Sequence, residues 1–344
     1  MKNKVIILRI SVILITLLIS IYCIHYMNQS FDPLARYPYV TNENREVLLK
    51  YLDNDDIDYI ITQQMKPNVF LEFIDVPGFD IHNAYFYQSA LSTQVESKEY
   101  IVNFVNRFRQ NFSIGMLEEL LTYYSYLDLT TFYENEYSLH PDLELMNNLE
   151  NPYILLNPNK TIYKYIPTGL ELFQGVKIKK EMINDLQEMQ AAYYSMVGQE
   201  LVVESGYIAY DQILSLYGEQ SLQNATFLSS WLNPAGQNEE QLGYTIHVQG
   251  AKDWLVQCQQ QDQKEVDYDL IIENLDAAVK TQMEWLAENA SRYGFVIRYP
   301  IDKIEKTKHW YQPFVLRYVG KETAKTMNEA NLCMEEMKFP KELE

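Results

Sequence analysis

Basic residues are scarce in this chain of 344: 28 Lys and Arg stand against 47 Asp and Glu, a formal charge of −19. Acids are missing from its start, where none precedes Asp32, while Lys2, Lys4 and Arg9 all fall early. The part after residue 26 therefore holds 25 bases against 47 acids. Phosphate backbones are bound by clustered Lys and Arg, so this balance counts against a nucleic-acid partner. It counts equally against attraction of the main body to anionic lipid. Cysteine is nearly absent, with only Cys23, Cys258 and Cys333. Cys258 and Cys333 are either one disulfide in an oxidising compartment or two buried thiols. Apolar content is not lacking: at 47% hydrophobic and 13% aromatic, the chain is too apolar for disorder. Its length suggests about two domains.

One run, VIILRISVILITLLISIYCI over 5–24, carries no charge except Arg9. At about 1.5 Å per residue it reaches roughly 30 Å, the thickness of a bilayer core. Arg9 lies one turn in and can snorkel to the interface. The early bases orient the span with its N-terminus in the cytoplasm and the rest of the chain outside. The competing reading is a cleaved signal peptide, which needs small residues at the cleavage site. Tyr22 to Met27 offer none. The sequence thus predicts a membrane anchor over 1–26 in a single-pass protein of the cell membrane.

Residues 27–44 lack helical periodicity and read as a tether. A helical domain over 45–150 follows, with apolar residues at helical spacing. It contains a weak repeat at 72 residues: VLLKYLDNDDIDYII (47–61) lines up with ELLTYYSYLDLTTFY (119–133). The tyrosines of this region are read as core packing, with a partner-binding surface as the alternative. An Asn- and Pro-rich stretch over 146–166 marks a boundary. Beyond it, strands at 201–205, 244–248, 295–299 and 314–319 alternate with helices at 179–192, 209–217 and 268–291. No βαβ rhythm is present, so the class is α+β. An acidic helix and tail over 321–344 read as a solvated cap.

Several blocks stand in one order: Ser205-Gly206-Tyr207 with Tyr210, Gly243, WLAENASRYGFVIRYP (285–300), and Pro313 with Arg317-Tyr318-Val319-Gly320. In this the stretch 165–320 resembles the zinc D-alanyl-D-alanine carboxypeptidases of the vancomycin-resistance type, which trim peptidoglycan stem peptides. The resemblance implies a small antiparallel sheet flanked by helices. It also implies a zinc held by His, Asp and His with one open position for water. The Glu of a Glu-Pro-Trp-His block, whose His is the third ligand, would be the general base, and an Arg would pair the substrate carboxylate.

At those positions this sequence carries other residues. The three metal positions are Glu240, His247 and Val315, the base position is Gln312, and the carboxylate-binding position is Ile208. Valine has no lone pair, glutamine cannot take up a proton, and isoleucine cannot pair a carboxylate. The expectation is therefore a pseudopeptidase with no catalytic residue and no cofactor, binding peptidoglycan stem peptide or an envelope protein. Its ligand cleft would be lined by Ser205, Tyr207, Tyr210, Gln241, Tyr244, Phe314 and Arg317. A second reading is an active enzyme with zinc on a rebuilt site of Glu240, His247 and His309. A third is a structural adaptor that works through the Tyr-rich helices.

Overall fold

A computed structural model describes residues 2–30, 32–224, 227–262 and 264–338. The chain divides into two compact units, Met1–Glu118 and Glu119–Glu344, the break falling inside the helix Ile114–Tyr123. The acidic tail 339–344 lies outside the described residues.

The first unit opens with the helix Lys2–Ser30, whose stretch Arg9–Met27 is long and apolar enough to cross a membrane. The segment read as a tether is packed instead. Asp32 caps a short 3-10 turn, Pro33–Arg36, that has no 3.6-residue period to betray it. Leu34 and Tyr37 are buried, the Tyr37 hydroxyl donates to Met65 O at 2.7 Å, and Arg45 pairs with Asp32 at 2.8 Å.

The sequence repeat has a structural basis in helix capping. In the first copy Asp53 and Asp56 form a reciprocal capping box ahead of Asn54–Thr62. In the second, Ser125 and Asp128 do the same ahead of Tyr126–Thr131. The apolar partners Leu48 and Leu120, Ile57 and Leu129, and Ile60 and Phe132 are all buried. Each copy is therefore a helix, a capped turn and a second helix anchored at matching positions.

The second unit holds the α+β domain. A hairpin of β1 (Leu170–Phe173) and β2 (Val176–Lys179) precedes a four-stranded antiparallel sheet. Its strands are β3 (Val203–Ser205), β4 (Thr245–Val248), β5 (Phe295–Tyr299) and β6 (Gln312–Tyr318), in the order β3-β4-β6-β5. Alternate residues of these strands point to opposite faces. On one face Ile246, Val248, Phe314 and Leu316 enter a core with Trp254, Met189, Tyr193 and Leu286 from the flanking helices. Trp254 fixes its indole there by donating to Tyr311 O at 2.7 Å. The helix expected over 268–291 is two, Tyr268–Glu273 and Ala277–Asn289, because Asp276 caps the second through Ala278 N at 2.8 Å. Cys258 and Cys333 are both buried free thiols, and burial pushes each up to about 12.

Candidate functional site

The other face of the sheet carries the polar residues. Ser205 is the register partner of His247, and His247 that of Val315. Directly opposed residues of antiparallel strands share a face, so these three side chains form one row across β3, β4 and β6.

Two glycine-dependent loops close over this row. Gly206 follows β3 and lies so near the hairpin that a Cβ would stand 2.5 Å from Lys177 O. That approach lets Tyr207 N donate to Lys177 O at 2.7 Å. The second loop is the 3-10 turn Glu239–Leu242, capped by Asn238, which accepts from Glu240 N at 3.0 Å. It ends at Gly243 with φ +77°, in the left-handed region where a Cβ would also meet Leu170 at 2.7 Å. The loops meet where Ile208 N donates to Glu240 O at 3.4 Å. Glu240 Oε1 then lies 2.8 Å from His247 Nε2. The site thus brings together Glu240, His247, Val315 and Ile208.

His309 goes elsewhere. Its Nδ1 bonds the Thr307 carbonyl at 2.9 Å, and its ring stacks on Tyr299 with centroids 4.3 Å apart. A carbonyl only accepts, so Nδ1 carries the proton and Nε2 is left as a lone pair, buried and, among the described residues, without a partner. Burial lowers the pKa of this ring. Gln312, the register partner of Tyr299, is likewise buried, with its Nε2 unpartnered among the described residues.

These residues do not fit a catalytic zinc. Val315 offers no donor, Glu240 and His247 are bonded to each other, and His309 is held by Thr307 and Tyr299. Among the described residues no three His, Cys, Asp or Glu gather as a metal-binding group.

Four residues expected to line the cleft are structural. Gln241 is fully buried, accepting from Gly236 N at 3.0 Å and donating to the carbonyls of Tyr163 and Tyr165. Phe314 packs into the Trp254 core on the opposite face. Tyr244 is buried with the Lys179 ammonium over its ring at 5.2 Å. Arg317 is buried and donates to the carbonyls of Pro152 and Ile154 at 3.0 and 3.1 Å. Aromatic and charged residue types suggest a ligand surface, but the strand register decides which ones reach solvent. Ser205, Tyr207, Ile208 and Tyr210 remain partly exposed.

Sequence reasoning missed a buried ion cluster next to this row. Glu239 accepts two bonds from Arg298, at 2.7 and 2.8 Å, and Arg298 reaches on to Glu335 at 2.8 Å. Arg317 approaches Glu239 at 3.5 Å. Burial opposes the Glu239 charge, but Arg298 and Arg317 outweigh it and hold the carboxyl below its usual range. The only signal in the sequence was the Glu239-Glu240 pair on a turn, which reads as solvated until its arginines are placed.

The family model described as "D-alanyl-D-alanine carboxypeptidase" (VanY) matches residues 175–321, the span from the hairpin to the end of β6. That region, less than half of the chain, resembles the VanY family of D-alanyl-D-alanine carboxypeptidases. The chain is similar to YodJ of Bacillus subtilis (strain 168), provisionally named a carboxypeptidase: 29% identical over 224 residues, 62% of this chain and 76% of that protein. It is also similar to a D-alanyl-D-alanine carboxypeptidase of Enterococcus faecium, 28% identical over 57% of this chain and 50% of that one. The match therefore spans only half of the latter. Among solved structures, the LD-carboxypeptidase LdcB is 28% identical with TM-score 0.46, covering 56% of this chain and 88% of LdcB. The D,D-pentapeptidase VanY of a VanB-type resistance cassette, solved with Zn(II), is 25% identical with TM-score 0.42, covering 54% and 97%.

Proposed function

We propose that the chain is a membrane-anchored, extracytoplasmic pseudopeptidase that binds peptidoglycan stem peptide or an envelope partner without cleaving it. The observation that supports this reading is the Glu240–His247 pair at 2.8 Å beside Val315. Two of the three metal positions bond each other and the third has no lone pair. Gln312 keeps the shape of a glutamate but cannot take a proton from water, and Ile208 cannot fork onto a carboxylate. The apolar stretch within 5–24 supplies the anchor, with its N-terminus in the cytoplasm.

The test uses the full-length protein in detergent with a stem pentapeptide ending in D-Ala-D-Ala. No release of D-Ala above buffer is expected. Release that vanishes in Glu240→Ala would overturn the reading. Binding is read separately by co-sedimentation with purified sacculi, and failure to sediment at any salt concentration would remove the wall-binding half.

A further inference from the structure

A cavity of about 550 Å³ opens beside the site, within the range of small-ligand pockets. Two of its walls run on from the positions already described: Tyr210 follows Ile208 by two residues, and Gln237 precedes Glu240 by three. The remaining walls come mainly from 136–143 and 158–163, outside the region matched by the family.

Its chemistry is one-sided. Glu136 and Asp142 both line it, and no Lys or Arg does. Neither carboxylate forms an ion pair among the described residues. Tyr163 and Tyr210 meet edge to face in its wall, with centroids 5.4 Å apart at 64°. The Glu136 charge reaches both phenols: after burial it is the largest cause pushing each upward. An ammonium of the chain already rests by these rings, since Lys164 Nζ lies 5.6 Å from the Tyr163 centroid and 5.8 Å from that of Tyr210. Lys164 is exposed and pairs with neither acid. Aromatic faces backed by unpaired carboxylates attract a cation, and an apolar stem can lie along the rings.

We propose that this pocket binds a primary ammonium on a flexible aliphatic stem, as a lysine-type side chain of a peptide presents it. The preference for an ammonium stands on the pocket's own residues. That the ammonium arrives on a wall peptide rests on the function proposed above.

The probes are Nα-acetyl-lysine methylamide and its norleucine counterpart, titrated into the full-length protein in neutral detergent and followed by ligand-observed NMR. Lysine is expected to bind about tenfold tighter than norleucine, with the preference shrinking at high salt. The double substitution Glu136→Gln with Asp142→Asn is expected to abolish that preference without shifting the melting temperature, because Asp142 is exposed and Glu136 only half-buried. Lys164→Met, which removes the competing ammonium, is expected to raise lysine affinity about twofold. Equal binding of the two probes, binding of neither, indifference to the double substitution, or tighter binding of N-acetylglucosamine would each overturn the inference. A stem peptide with its lysine amine acetylated separates the two proposals. If it binds as well as the free amine, the pocket inference fails and the peptide-binding reading survives. If neither form binds while the lysine probe does, the reverse holds.

Discussion

The two faces of the four-stranded sheet are made from alternate residues of the same strands, yet they are held in different ways. One face buries Ile246, Val248, Phe314 and Leu316 against Trp254 and the helices. The other carries Thr245, His247 and Arg317 beneath a loop whose Glu239 is gripped by Arg298. The first is stabilised by area removed from water, on the order of 1.5–3 kcal/mol for each large side chain. The second depends on charges that tolerate burial only while every partner is present. A fold held from one side by packing can therefore exchange the chemistry on the other. In this chain the loop above the site is held by Glu239 and Arg298.

That contrast can be broken from either side. The largest effects are expected from the packed face: Trp254→Ala or Phe314→Ala should cost about 3–5 kcal/mol in urea unfolding. Glu239→Ala should approach them, at about 3–5 kcal/mol, because it leaves Arg317 without an anion and Arg298 with Glu335 alone. A cost below about 1 kcal/mol would show that the ion cluster does not hold the loop. Gly206→Ala is expected next, at about 1–3 kcal/mol, since its methyl group must displace the hairpin carbonyl of Lys177.

A pH titration of stability separates His309 from Glu239. The His309 pKa is lowered in the fold, so the unfolded chain takes up the proton first. Stability is then fully present above about 6.5, the ordinary value for histidine, and falls as the pH drops below it. The slope should flatten in His309→Gln. Glu239 is also lowered, from an ordinary range near 4.3. Its contribution is full above about 4.3 and is lost progressively as the pH falls from there through its folded pKa. The smallest change is expected from His247→Ala, within about 1 kcal/mol, because the Glu240–His247 pair is partly open to solvent.

Much of this was legible in the sequence, for identifiable reasons. The four strands and the ordered blocks from Ser205 to Gly320 were found because alternation and turn residues are local signals. The positions Glu240, His247, Val315 and Ile208, which the resemblance singles out, lie together in the structure. Their neighbours were harder. Gln241, Tyr244, Phe314 and Arg317 read as ligand contacts by residue type, whereas their burial depends on register and on distant carbonyls such as Pro152 O. The segment 33–44 carries no helical period, yet it packs through a 3-10 turn and the Tyr37 hydroxyl. The Glu239–Arg298 pair joins residues 59 apart, a separation at which no local pattern speaks.

Zinc content of the purified full-length protein, measured by mass spectrometry after equilibration with Zn(II) and dialysis, tests the dismantled site most directly. The natural sequence is predicted to retain far less than one zinc per chain, while Glu240→His, His247→Asp and Val315→His together restore about one. About one zinc held by the natural sequence and lost in Glu240→Ala would contradict it.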